Sequence, residues 1–199
     1  MKVGVIETET CNLASVRAAL RRIGAQPVPV REAEALRGLG GLILPGVGAF
    51  GPAMARLRAW GLMSPLRKLL EGAARGEGPR CMAICLGFQL LGSTSEEAAE
   101  VEGLGLHSGH IRRLPPGERV PHLGWNEIRG DLSGEAYFAH SFGLLEAPET
   151  WAASRCAYGG GFVAALRKGR LTACQFHPEL SGEWGQSLLA SNLLESASC

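Results

Sequence analysis

A chain of 199 residues with 46% hydrophobic and 20% charged residues fits one globular domain whose core needs no staples. The profile excludes a disordered or fibrous chain, and no apolar run approaches the ~20 residues needed to cross a bilayer. A formal net charge of +1 lacks the basic excess of a dedicated nucleic-acid binder, and Arg21-Arg22 and Arg112-Arg113 read as solvated faces.

In chain order, Val3 to Ile6 is a short buried strand. Leu13, Val16, Leu20 and Ile23 recur at helical spacing, and Gly24 ends that helix. Pro27-Val28-Pro29-Val30 suits an edge strand, because proline donates nothing to a ladder. Gly41-Leu42-Ile43-Leu44 is a second buried strand, stopped by Pro45-Gly46-Val47-Gly48. Helices follow from about Gly51 to Trp60 and from Pro65 to Ala74. Cys81 to Ile84 is another strand and Leu86 to Leu91 a helix start. Strands separated by helices of this length predict βαβ units and a parallel sheet covered on both faces. From Leu106 to Leu171 the segments are short, strand-like and separated by turns, which predicts added antiparallel hairpins. Leu171 to Phe176 reads as a final central strand, and Trp184, Leu188, Leu189 and Leu193 mark a closing helix. The expected fold is α/β, a mainly parallel central sheet flanked by helices with antiparallel strands in the second half. Residues 1–199 read as a single domain. The first residues show no signal-peptide layout, so a soluble, cytoplasmic protein with reduced cysteines is expected.

Three stretches carry chemistry. In Ala83-Ile84-Cys85-Leu86-Gly87-Phe88-Gln89 an apolar strand runs into a cysteine and then a helix, with small residues two before and two after it. That is the layout of a nucleophile elbow with sulfur in place of oxygen. A helix N-terminus or a cationic imidazole lowers a thiol pKa from ~8.5 towards ~3.5–7.5. In Gln175-Phe176-His177-Pro178-Glu179, the proline pushes His177 into extended backbone, where side chains two apart point the same way. His177 then serves as general base and acid, with Glu179 on its far ring nitrogen. Pro45-Gly46-Val47-Gly48-Ala49-Phe50 is a glycine-rich loop after a strand that presents backbone N–H groups to negative charge. It has neither the Lys-Ser/Thr ending of a nucleotide loop nor a G-x-G-x-x-G spacing, so an oxyanion role fits it best. Cys81-x3-Cys85 with His107-x2-His110 matches no standard zinc spacing.

Together these stretches resemble the class I, triad-type glutamine amidotransferases. Pro-Gly-Val-Gly, Pro121-His122-Leu123-Gly124-Trp125-Asn126, Tyr137-Phe138-Ala139-His140-Ser141 and Asn12-Leu13-x-Ser15-Val16 narrow the resemblance to the glutaminase subunits of imidazole glycerol phosphate synthases. The resemblance implies that Cys85 attacks the glutamine carboxamide, His177 protonates the departing ammonia and Glu179 supports His177. It implies an oxyanion hole from Val47, Gly48 and Leu86. Gly46, Gly48, Gln89, Glu97, Ser141 and Phe142 match positions that hold glutamine. It implies no cofactor and no metal. The partner would be a cyclase subunit with a (β/α)8 barrel, in a heterodimer, which uses the ammonia to make imidazole glycerol phosphate and an aminoimidazole carboxamide nucleotide for histidine biosynthesis. Asn12, Trp125 and Asn126 match partner-facing positions. Low glutaminase activity without the partner is expected, since the resemblance implies a partner-triggered rearrangement of the Val47–Gly48 loop. The alternatives are the glutaminase subunit of a different amidotransferase, a γ-glutamyl cysteine hydrolase, or a catalytically idle binding subunit.

The sequence departs from the family pattern in places. Glu7-Thr8-Glu9-Thr10-Cys11-Asn12 lacks two usual glycines. Ala83 replaces a glycine, Phe142 a frequent tyrosine and Leu180 a common lysine.

Overall fold

The computed structural model describes residues 1–7, 13–115 and 119–194. A nine-stranded sheet runs through both halves of the chain. Its first half is built from β1 (Lys2–Ile6), β2 (Gln26–Val30), β3 (Gly41–Leu44) and β4 (Arg80–Ile84), which pair in parallel. Alternation along these strands divides the core between two faces. Leu42 and Leu44, with Cys81 and Ala83, pack on one side; Ile43, Met82 and Ile84 pack on the other. Helices α2 (Phe50–Ala59) and α3 (Met63–Ala74) cover the first face. Leu66, Leu70 and Ala73 recur on one stripe of α3 and are all buried. Helix α1 (Ala14–Arg22) and the closing helix α5 (Gly182–Leu194) cover the second, burying Val16, Ala19, Leu20, Leu188, Leu189 and Leu193.

β2 is the outermost strand on one side, as its prolines predict. Gln26 donates to Met1 and Val30 accepts from Glu7, so residues 26, 28 and 30 face β1, while Pro27 and Pro29 lie on the open edge. At the end of β1 the buried Glu7 carboxylate is held by Arg31, through Nε at 3.1 Å and a terminal guanidinium nitrogen at 2.9 Å, and by Arg17. Asn12 and Cys11 fall outside the described residues.

The second half is mainly antiparallel, as expected, with one short parallel pair between residues 94–95 and 110–111. Strands β7 (His122–Gly130) and β8 (Gly134–His140) form a hairpin; β10 (Ala152–Cys156) and β11 (Phe162–Lys168) continue the sheet inward to β12 (Leu171–Cys174). β12 is the hinge between the two modes, antiparallel to β11 and parallel to β4. The strand read from Leu171 to Phe176 stops at Cys174, where the chain turns away to form the site. A three-stranded sheet of β5 (Thr94–Ser95), β6 (His110–Arg113) and β9 (Phe142–Leu144) lies apart from the large one. No helix is long and apolar enough to cross a membrane. Among the described residues Cys81, Cys85, Cys156 and Cys174 are free thiols.

Candidate active site

Two adjacent parallel strands, β4 and β12, bring the site together. Ile84 pairs with Cys174, and the Cys85 N–H donates to the Cys174 carbonyl at 2.7 Å. The residues that leave these two strands at their carboxyl ends therefore start side by side, where α/β sheets bind ligands. Cys85 leaves β4 with φ 53° and ψ −107°, and among the described residues it alone adopts a positive φ without being glycine. That strain is characteristic of residues held for function, and it turns the sulfur out of the sheet. The short helix α4 (Leu86–Leu90) starts immediately after it. Gly87 makes the turn possible: a Cβ there would lie 1.9 Å from the Leu44 carbonyl oxygen.

After β12, His177 is extended (φ −102°, ψ 94°) and Pro178 opens a short 3-10 turn that contains Glu179. The side-by-side placement expected of extended chain is thus achieved by an extended residue followed by a turn. His177 Nδ1 and Glu179 Oε1 are 2.9 Å apart, and both side chains are buried. Burial is the largest influence on His177 and disfavours the imidazolium. Hydrogen bonding to Cys85 and Glu179, with their negative charge, outweighs it and raises the pKa above the ordinary imidazole value. The other Glu179 oxygen is buried with no hydrogen-bond partner. Elsewhere burial pushes the Cys81 thiol up to about 12, and burial together with the Glu179 charge raises Cys174, leaving both inert.

Cys85 opens into a cavity of about 320 Å³, lined also by Val47, Gly48, Leu86, Gln89, Glu97, Leu123, His140, Ser141 and Phe142. Gly46 lies behind this wall, beside His177 and Glu179 in a smaller pocket. Its carbonyl accepts from the Leu86 N–H at 3.2 Å. One N–H that the sequence assigns to the oxyanion hole is therefore already engaged, and its release would require the loop to turn. Gly48, at φ 120°, provides the backbone freedom for that. Glu97 Oε2 accepts from the Phe50 N–H at 2.9 Å, at the N-terminus of α2, which fixes the carboxylate at the cavity edge. Gln89 is buried, and its Nε2 donates to the Phe142 carbonyl at 2.7 Å and to Gln175 Oε1 at 3.2 Å. It holds the cavity wall with these N–H groups.

Val47, Leu123, Trp125 and Leu180 are large apolar side chains left exposed, the first two of them lining the cavity. Trp125 stands edge-on to Tyr137, its ring approaching Gly182. Asn126 differs from its neighbour Trp125: it is half-buried and turned inward, with Nδ2 2.9 Å from His122 Nε2. Sequence reasoning assigned no role to His122, His140 or Gln175. The first two lay in quoted motifs, and Gln175 sat two residues before His177, but no spacing rule indicates that these side chains meet.

A strained cysteine, a carboxylate-supported imidazole and a loop of main-chain donors at the end of a parallel sheet define a thiol acyl-transfer site. The chain belongs to the class-I glutamine amidotransferase family, whose model matches residues 6–196. Relatives of nearly equal length set the branch. The imidazole glycerol phosphate synthase subunit HisH of Moorella thermoacetica is 39% identical over 198 residues, covering 94% of this chain and 91% of the relative. The HisH subunit of Xanthomonas axonopodis pv. citri is 43% identical over 205 residues, covering 97% and 96%. A crystal structure of a glutamine amidotransferase matches the fold with a TM-score of 0.77 at 24% identity, covering 94% of this chain and 96% of that one.

Proposed function

We propose that this chain is the glutaminase subunit of an imidazole glycerol phosphate synthase in histidine biosynthesis, and that Cys85, His177 and Glu179 are its triad. The observation that carries the reading is the buried His177 imidazole, 2.9 Å from the Glu179 carboxylate and with its pKa raised by the neighbouring Cys85, at the ends of the paired strands β4 and β12. The Cys85 thiolate attacks the glutamine carboxamide carbon and the carbonyl electrons move to oxygen. As the tetrahedral intermediate collapses, the C–N bond breaks and His177 delivers its proton to the leaving nitrogen, releasing ammonia and a γ-glutamyl thioester. His177 then takes a proton from water, which attacks the thioester; glutamate leaves and the thiolate returns. Glu179 orients His177 and stabilises the imidazolium. Main-chain donors of Val47, Gly48 and Leu86 hold the oxyanion, each worth ~2.7–4 kcal/mol of barrier. Gly48, Gln89, Glu97, Ser141 and Phe142 form the glutamine site, with Glu97 placed to receive the ammonium group, while Gly46, given to the site by sequence, supports it from behind the wall.

Ammonia loses its nucleophilicity on protonation in neutral water, so its consumer belongs at the mouth. We read that consumer as a cyclase (β/α)8 barrel in a heterodimer, docked on a face that includes the exposed Trp125, with Asn12 assigned to the partner by the sequence resemblance alone. The apolar Val47, Leu123 and Leu180 extend this face, with Leu180 contributing contact area rather than the charge that lysine brings. Docking beside Val47 would exchange the Gly46–Leu86 hydrogen bond for an open oxyanion hole. Asn126, given to the interface by sequence, acts from behind it. Residues 1–199 are read as one domain, which the continuous sheet supports.

The test is glutamine hydrolysis by this chain alone and with the candidate cyclase and its nucleotide ligand. Activity that rises only with both supports the reading; full activity of the isolated chain, or indifference to the cyclase, removes the partner from it.

A further inference from the structure

Cys85 is held by more than its triad partners. Because Cys85 and Gln175 leave paired positions on β4 and β12, the buried Gln175 side chain stands beside the sulfur. Its Nε2 donates to Cys85 Sγ at 3.8 Å, and its Oε1 accepts from Gln89 Nε2 at 3.2 Å. Gln89 also donates to the Phe142 carbonyl at 2.7 Å. A second arm reaches the same carbonyl from β7. Asn126 Nδ2 lies 2.9 Å from His122 Nε2, His122 Nδ1 lies 3.3 Å from His140 Nε2, and His140 Nδ1 lies 2.9 Å from the Phe142 oxygen.

A carbonyl only accepts, so the Phe142 oxygen sets the direction of each bond. His140 must carry its proton on Nδ1 and accept on Nε2. His122 then carries its proton on Nδ1 and accepts the Asn126 amide on Nε2. These acceptor roles need neutral imidazoles, and burial supplies them by lowering His122 to about 4 and His140 to about 3. The His122 ring is stacked on Phe138 at 4.8 Å and on Tyr158 at 3.9 Å, which fixes its plane. A donor aimed at sulfur gains most when the sulfur is a thiolate, the stronger acceptor.

We propose that Gln175 is a positioning residue which holds the Cys85 sulfur and favours its ionised form, and that the bonded chain from Asn126 through His122, His140, the Phe142 carbonyl and Gln89 holds Gln175 in place. The far end of this chain adjoins Trp125, so one strand supplies both exposed apolar surface and the start of the positioning chain. The inference rests on Cys85 being the nucleophile, and its test reads the sulfur directly, without glutamine or a partner.

The test is the pH dependence of iodoacetamide alkylation, followed by the mass of the Cys85 peptide in the full chain. Gln175→Leu is expected to raise the midpoint by about one pH unit and slow alkylation about tenfold at pH values below the wild-type midpoint. Gln175→Asn, which withdraws the amide by one methylene, moves the midpoint the same way and carries the test should the leucine variant not fold. His122→Phe keeps a stacked ring but removes both bonds, and slows alkylation about threefold. Midpoints within about 0.3 unit of wild type in the folded Gln175 variants overturn the proposal. A shift in Gln175→Leu with none in His122→Phe overturns the chain beyond Gln89. A wild-type Cys85 that reacts no faster than Cys81 or Cys174 overturns the nucleophile assignment itself.

Discussion

The parallel and antiparallel halves of the sheet contribute to the site in different ways. The parallel half supplies reacting atoms at strand ends: Cys85 after β4, the residues 45–50 loop after β3, and His177 after β12, which pairs in parallel with β4. The antiparallel half supplies a wall, made of carbonyls and ring nitrogens from β7, β8 and the start of β9. Groups at parallel strand ends converge because the strands point the same way. Groups in a hairpin meet only if register and rotamer both agree. The first half should therefore fail abruptly on substitution, and the second by degrees.

The largest expected effect is Cys85→Ala, which should lower glutamine hydrolysis by at least about 10⁴-fold while a cyclase partner still turns over with added ammonium. Loss of the ammonium-dependent reaction as well would mean that assembly, not chemistry, was damaged. Glu179→Gln should lower kcat by about 10²-fold with KM within about threefold, since it removes the charge that sustains the His177 imidazolium. A larger change in KM than in kcat would assign Glu179 to substrate binding. Gly87→Ala should cost about 3 kcal/mol or more in urea unfolding, because the new Cβ collides with backbone rather than a flexible side chain. Leu180→Lys, on the exposed rim, should leave stability within about 0.5 kcal/mol and change only the salt dependence of partner binding.

pH sharpens the comparison. His107, lowered to about 4, and His122 and His140 are buried in their neutral forms. Each contributes stability that is complete above the unfolded value near 6.5 and lost as pH falls towards the folded value, because the unfolded chain binds the proton more readily. His177 has the opposite sign. Its raised pKa gives stability that is complete below 6.5 and lost as pH rises through the folded value. The urea midpoint should therefore peak between about pH 6 and 7 and decline on both sides. His122→Phe should flatten the acid limb and Glu179→Gln the alkaline one. Unchanged limbs in both variants would show that these rings do not control the titration.

The same contrast explains what was legible in the sequence. Four-residue apolar runs and the helical stripe of Leu13, Val16, Leu20 and Ile23 gave the order of the parallel half, because each follows from local periodicity. The elbow at Cys85 and the His177–Glu179 pair were legible because their partners are local, or lie at the ends of neighbouring strands. The early end of β12 at Cys174 was not, because Gln175 and Phe176 are as fully buried as the strand before them and no turn signal precedes Pro178. Nor was the inward turn of Asn126 beside the outward Trp125, although alternation along β7 accounts for it once the register with β8 is known. The engagement of the Leu86 N–H by the Gly46 carbonyl is a peptide orientation, which side-chain identities do not encode.

The two prolines of β2 matter beyond this one molecule. A strand at the rim of a sheet normally displays alternating donors and acceptors, to which an unfolded neighbour can add in register. Here the residues turned outward, Pro27 and Pro29, have no N–H, so that rim shows carbonyls without donors. An incoming strand would find half its ladder unanswered. At that boundary the missing donors disfavour the addition of a further strand.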